Sequence, residues 1–253
     1  GKIVAFISAI YPTKFPPGIY SPIGWIKIVV TSPQSRYRGF ASLLYDRVVE
    51  EFKMRGVTEV RISDRGNWHF WPGVDLRYED GLDFFEKRGF TKEVQELDYS
   101  YDLRSFFYPR RVLKLKEQLM NEEQINIRLA KQSEKEDLGA WIEEKFSIFW
   151  RNETEYAFYK ETPSVMIAKD RTGKILGFAT YNGVAPGRFG PAGVDPVMRG
   201  KGLGTVLLFE AFQALKEEGK EEAIVHWTDL LFYYTQVPGL SGVRHYWIMH
   251  REL

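Results

Sequence analysis

The feature that most constrains this chain is an internal repeat. Residues 30–41 align without gaps on residues 193–204, an offset of 163, with Pro33 on Pro196, Arg36 on Arg199 and Gly39 on Gly202. Beyond the aligned block, Leu44, Val48 and Phe52 fall on Leu207, Ala211 and Leu215. That i, i+4, i+8 spacing predicts one amphipathic helix per copy. Gly56 and Gly219 then sit where a C′ glycine would end it, and strand-like runs follow at 58–63 and 223–227. A period of this kind implies one fold unit used twice.

Two further matches keep the same order. Gly1-Lys2-Ile3-Val4-Ala5-Phe6 echoes Gly173-Lys174-Ile175-Leu176-Gly177-Phe178, and Phe84-Phe85-Glu86-Lys87 lies over Phe232-Tyr233-Tyr234-Thr235. The changes in offset fall in a Pro/Gly-rich stretch at 11–24, read as a loop, and in an insertion that includes Asn67, Trp68, His69, Phe70, Trp71 and Asp75. The insertion reads either as an aromatic wall over an acceptor or as a hydrophobic plug. Phe232 and Tyr233 are expected on a short last helix.

The second copy has strands at 125–130 and 164–168 and helical stretches at 134–146 and 153–160 that the first copy lacks. The expectation is an α/β (α+β) chain of two mixed-sheet domains in tandem, the first lacking its N-terminal strand and helices. Its bounds are 1–109, a helical linker at 110–124 carrying Val112, Leu115 and Leu119 at helical spacing, and 125–253. The incomplete first copy predicts an open sheet edge, the natural place for a homodimer interface. It also predicts a natural polypeptide longer by the counterpart of 126–172, in keeping with a start at Gly1 rather than Met.

Composition removes several chemistries. The net charge is +1, so no bulk field draws the 253-residue chain to nucleic acid or an anionic membrane. With no cysteine there is no disulfide, thiolate metal site or cysteine nucleophile. The four histidines are not at metal-ligand spacing, and no metal is expected. No apolar run approaches the roughly 20 residues of a membrane span. With no signal-like opening either, the expected location is cytoplasmic.

The strongest chemical signal is Arg199-Gly200-Lys201-Gly202-Leu203-Gly204, between a strand and a helix. Glycines let the backbone approach a ligand, and first-turn amides at a helix N-terminus suit a phosphate. A Walker loop would need Gly-Lys-Ser/Thr, and a dinucleotide fingerprint would need glycine where Thr205 stands. The bland reading is a glycine turn with no ligand, which recurrence of the arginine and glycine disfavours.

The pattern R-x-x-G-x-G/A, met at Arg199-x-x-Gly202-x-Gly204 and at Arg36-x-x-Gly39-x-Ala41, resembles that of the GNAT superfamily of acyl-CoA-dependent N-acetyltransferases. The tandem layout looks like that of mycothiol synthase and similar two-domain members. The resemblance implies acetyl-CoA as cosubstrate and no metal. It implies that Gly193, Val194, Arg199, Gly200, Lys201, Gly202, Leu203, Gly204 and Thr205 bind the coenzyme. Arg36, Arg38, Gly39 and Ala41 are the corresponding residues of the first copy.

Acetyl transfer to an amine needs a base, oxyanion donors and an acid for the departing thiolate. A thiol titrates near about 8.5 and a tyrosine near about 10, so a tyrosine can serve as that acid. The resemblance implies Tyr233 for this role, with Tyr234 the alternative if the register slips by one. The first copy has Phe85 there, with no proton to give. Backbone amides of Gly193 and Val194 would hold the oxyanion. The glutamate that family members often carry on that strand is missing. His226 is the best-placed titratable group, since imidazoles titrate near neutrality, with Asp229 acting through water as the alternative. The bland reading of His226 is a packed histidine with a satisfied hydrogen bond, and Asp195 reads as a loop cap. The expected function is acetyl transfer to the primary amine of a small molecule by a catalytic second copy and an impaired first one. The alternative is a non-catalytic acyl-CoA-binding or sensing protein.

Overall fold

The gapless repeat is reproduced residue for residue in the backbone. A 3-10 turn at Pro33–Ser35 and another at Pro196–Met198 lead into helices α1 (Phe40–Met54) and α6 (Leu203–Glu217). Both helices begin after a left-handed glycine, Gly39 at φ 84° and Gly202 at φ 81°. Both end on one, with Gly56 at 73° and Gly219 at 77°. The amide of Val57 returns to the Phe52 carbonyl, and that of Lys220 to the Leu215 carbonyl, each at 3.0 Å. These are Schellman closures that glycine permits without a Cβ penalty.

The structure is a computed structural model that describes residues 1–11, 22–63 and 71–253. Most of the loop expected at 11–24 and part of the aromatic insertion (Asn67, Trp68, His69 and Phe70) lie outside the described residues. The described chain forms two units. Unit 1 comprises Gly1–Leu97, Trp227–Asp229 and Arg244–Leu253, and unit 2 comprises Asp98–His226 and Leu230–Val243. The division is thus not a single cut near 109–125. Residues 98–124 belong wholly to unit 2, while 244–253, expected in the second domain, belong to unit 1. Strand pairing between distant segments leaves no local signature, so periodicity could not show it.

In unit 1, β1 (Ala5–Ile10) runs antiparallel to β2 (Ile23–Thr31), and β2 runs parallel to β3 (Glu59–Ile62) over four residue pairs. The two-residue strand β4 (Val74–Asp75) precedes α2 (Glu79–Glu86), and β5 (Thr91–Asp102) follows, its residues from Asp98 on counted in unit 2. The last residues of the chain pair with β3, Met249 opposite Ile62 and Glu252 opposite Glu59, and Trp247 lies opposite Val74 of β4. The core gathers Ile26, Phe52, Val60, Phe85, Phe90 and Met249 between α1, α2 and the sheet. Asp75, 4% exposed, takes hydrogen bonds from the Arg77 and Arg244 guanidiniums. Burial pulls its carboxyl upward, but these bonds outweigh burial and hold it below the usual range.

In unit 2, α3 (Arg110–Glu117) continues into a π-helical turn at Gln118–Glu122 and buries Val112 and Leu119. Strands β6 (Asn126–Leu129), β7 (Val165–Lys169), β8 (Ile175–Tyr181) and β9 (Arg188–Val194) are neighbours in the sheet, each antiparallel to the next. Helices α4 (Lys135–Lys145) and α5 (Ile148–Tyr156) lie between β6 and β7; α5 starts earlier than the expected 153–160 because Ser147 caps it through the Trp150 amide. Phe146 and Trp150 rings lie 6.0 and 6.4 Å from that of Phe178, which is fully buried. Its counterpart Phe6 in unit 1 is 51% exposed. At the start of α4, buried Glu134 accepts from Arg128 through both guanidinium nitrogens at 2.8 and 2.9 Å and from the Lys131 amide, and pairs with Lys169 at 2.6 Å. The chain closes with β10 (Glu222–Thr228) and β11 (Leu240–Glu252), of which Trp227, Thr228 and the residues from Arg244 on are counted in unit 1.

Phe232 and Tyr233 are not on an α-helix. They lie in a turn that leads into a three-residue 3-10 helix, Tyr234–Gln236. Val237 precedes Pro238, which bars it from the α region and cuts the segment short. In unit 1 the matching segment has no proline and makes the full helix α2.

Candidate active site

Parallel strands normally pair along their length, but β9 and β10 pair only at Arg188–Ile224 and Phe189–Val225. Beyond Phe189 the two strands part. A cavity of 530 Å³ lies against that end of β9, lined by Gly193 and Val194, by the loop residues Met198 to Gly200 and Gly202 to Thr205 but not Lys201, and by Leu230, Tyr233 and Tyr234. Phe146, Phe178, Phe189 and Leu207 supply its apolar wall. A Cβ on residue 193 would overlap the Phe146 ring, so glycine is what lets that ring lie over the strand.

The loop holds Gly200 at φ 76° and Gly202 at φ 81°. Gly202 is the N-cap of α6, which has no acidic residue in its first turn, so the positive end of the helix dipole is uncompensated. Leu203 is fully buried and presents only its backbone, while Lys201 is exposed. In unit 1 the same turn is kept with Tyr37 at φ 58° in place of Gly200, and the Tyr37 hydroxyl donates to Asp80 at 2.6 Å. Arg36, Arg38, Gly39 and Ala41 thus surround a loop of the same backbone shape with a carboxylate beside it.

Tyr233 is half-buried, its hydroxyl over Gly204 and hydrogen-bonded to the Thr205 side chain. Burial pushes the phenol above its ordinary value and the Thr205 bond pulls it partly back. Tyr234 lines the same cavity with its ring 4.9 Å from that of Tyr233, and its carbonyl accepts from Tyr101 at 2.8 Å. Asp195 is a loop cap: it is buried and accepts from the Val197 amide at 3.0 Å. His226 is buried on β10, and Asp229 is exposed and belongs to unit 1. Neither lines the cavity, whose described lining contains no carboxylate or imidazole. Phe146, Phe178 and Leu230 were not singled out from the sequence. Phe178 entered only as part of the repeat and the other two belong to no motif; the glycine at 193 was the one hint of a close neighbour. Among the described residues no cluster of three or more His, Cys, Asp or Glu could hold a metal ion, and no helix is long and apolar enough to cross a membrane.

The family model described as acetyltransferase (GNAT) family matches residues 135–231, from α4 through the glycine loop to the edge of the Tyr233 turn. That match spans well under half of the chain and lies almost wholly in unit 2, so the likeness to the GNAT acetyltransferase family is one of that stretch. Among solved structures, a glucosamine N-acetyltransferase region of a fungal multi-domain β-N-acetylglucosaminidase superposes with a TM-score of 0.79 at 21% identity. The match covers 99% of this chain and 32% of that one, so this chain spans about a third of the fungal protein. A GCN5-related N-acetyltransferase from Sphaerobacter thermophilus gives 0.64 at 15% identity, covering 91% of this chain and 73% of that one. A tandem GNAT protein from the clavulanic acid biosynthesis pathway gives 0.63 at 13% identity, covering 100% of this chain and 80% of that one. These identities speak to the fold: a mixed α/β GNAT-like architecture. No curated protein matches the sequence.

Proposed function

We propose that the GNAT-like stretch of unit 2 transfers an acetyl group from acetyl-CoA directly to the primary amine of a small molecule. The observation that carries this reading is one cavity that the end of β9, the glycine loop and the Tyr233 side chain line together. In this reading the amides of the loop from Gly200 to Thr205, with Arg199 and Lys201, hold the coenzyme's pyrophosphate. The amine nitrogen attacks the thioester carbonyl, and the Gly193 and Val194 amides stabilise the oxyanion. The carbon–sulfur bond then breaks and the thiolate takes its proton from Tyr233. With no cysteine in the chain, no acyl-cysteine intermediate intervenes.

For the base the reading retains His226 and Asp229. Neither touches the cavity; His226, in the same unit, would act on the amine through water, while Asp229 belongs to unit 1. The loop of unit 1, with Arg36, Arg38, Gly39 and Ala41, is proposed as a second coenzyme site, weakened by Asp80. Glucosamine is the first acceptor to try, since the fungal neighbour is described as acting on it.

Thiol release from acetyl-CoA in the presence of glucosamine, amino acids and polyamines tests the proposal. Amine-dependent release lost in Tyr233→Phe supports it. Coenzyme binding without release across the panel would instead favour a non-catalytic acyl-CoA sensor.

A further inference from the structure

A second cavity, of 370 Å³, adjoins the first at Thr205, which lines both. Its other walls are Arg111, Lys114, Leu115 and Gln118, from α3 and the turn that follows, and Gln236. Helix α3 packs directly on the glycine loop. A Cβ on residue 202 would overlap the Leu115 side chain, so the glycine there serves the helix contact as well as the turn.

Arg111 and Lys114 are one helical turn apart and so share a face. Both are exposed, and the cavity's described lining contains no acidic residue. Their neighbour Lys116 is different: it is bound to Glu210 at 2.7 Å and serves the packing of α3 on α6. In a chain whose net charge is only +1, two cations set together without an acid beside a phosphate-type loop mark an anion site. The anion must lie within reach of whatever occupies the first turn of α6.

Resting on the coenzyme reading above, we propose that Arg111 and Lys114 bind the 3′-phosphate of coenzyme A. That group is a phosphomonoester on the ribose joined to the pyrophosphate. It carries a charge of about −2 near neutrality, which matches two cations. The α3 helix, a linker by its position in sequence, thereby becomes part of the coenzyme site and sets its preference for the phosphorylated cofactor.

Calorimetry with acetyl-CoA and with 3′-dephospho-acetyl-CoA tests this without an acceptor. The unmodified protein is expected to bind acetyl-CoA at least about tenfold more tightly. Arg111→Ala and Lys114→Ala should each remove most of that preference while leaving the affinity for the dephospho form as it was. Equal affinity of the unmodified protein for the two ligands overturns the proposal and leaves the coenzyme reading standing. Parallel weakening of both ligands in the variants also overturns it, since the cations would then serve the pyrophosphate. Absence of binding to either ligand overturns the coenzyme reading itself, and this proposal with it.

Discussion

The Tyr233 hydroxyl lies 3.2 Å from the point where a Cβ on residue 204 would stand. Gly204 and Tyr233 are therefore one arrangement, and the first copy has changed both members, to Ala41 and Phe85. A methyl at 204 crowds the hydroxyl and moves it by a few tenths of an ångström. Since a 1 Å misplacement near the chemistry costs roughly a hundredfold, Gly204→Ala is expected to lower kcat by about three- to tenfold. Steady-state kinetics beside a thermal unfolding curve would check this, the curve staying near that of the parent.

Removing the hydroxyl altogether should cost more. Tyr233→Phe is expected to reduce kcat by about a hundredfold, the lower end of what a positioned acid contributes, with the Kd for acetyl-CoA little changed. Burial raises the Tyr233 phenol, so it stays protonated through neutrality and activity is lost only as pH rises through that raised value. The alkaline limb of the kcat profile should lie above about pH 10 and be absent from the residual activity of the variant. An unchanged profile would remove Tyr233 from the acid role.

Glu134 offers a stability test away from the chemistry. Its two-pronged bond to Arg128 holds the carboxyl well below the ordinary carboxylate value, against the opposing effect of burial. A depressed carboxylate stabilises the fold above its unfolded value, near 4.5, and that contribution drains away as pH falls below it. Glu134→Gln leaves Arg128 and Lys169 facing a neutral group, and is expected to cost about 3 kcal/mol at neutral pH. Denaturant titrations across pH 3 to 7 should show the gap between parent and variant closing toward the acid end.

Coenzyme stoichiometry separates the two loops. Titration of the parent protein is expected to show a tight step and a weaker one. Arg199→Ala should abolish or loosen the tight step and Arg36→Ala the weak one, each by about tenfold. A single step untouched by Arg36→Ala would confine the coenzyme to the loop after β9.

The repeat made the glycine loops, α1, α6 and their terminal glycines legible, because local rules govern them: a left-handed glycine, a capping turn, an apolar stripe. The segment after β10 obeyed the same alignment yet folded differently, since Phe232-Tyr233 matches Phe84-Phe85 while Pro238 has no partner there. The cavity's aromatic wall was invisible for another reason. Phe146, Phe178 and Leu230 come from three distant segments and meet only through the sheet. His226 looked well placed on the strand, with Asp229 just beyond its end, but which way a strand residue faces depends on register, which the pattern around it does not specify.

The pairing of Met249 and Glu252 with β3 has a consequence for biosynthesis. Unit 1 draws strand residues from both extremes of the sequence, so its sheet stays unfinished while residues 1–97 leave the ribosome and throughout the making of unit 2. Residues 98–243 hold nearly everything unit 2 needs and come first to completion, even though they are made later. The order of folding is therefore expected to run against the order of translation, with the earlier-made unit waiting on residues 244–253.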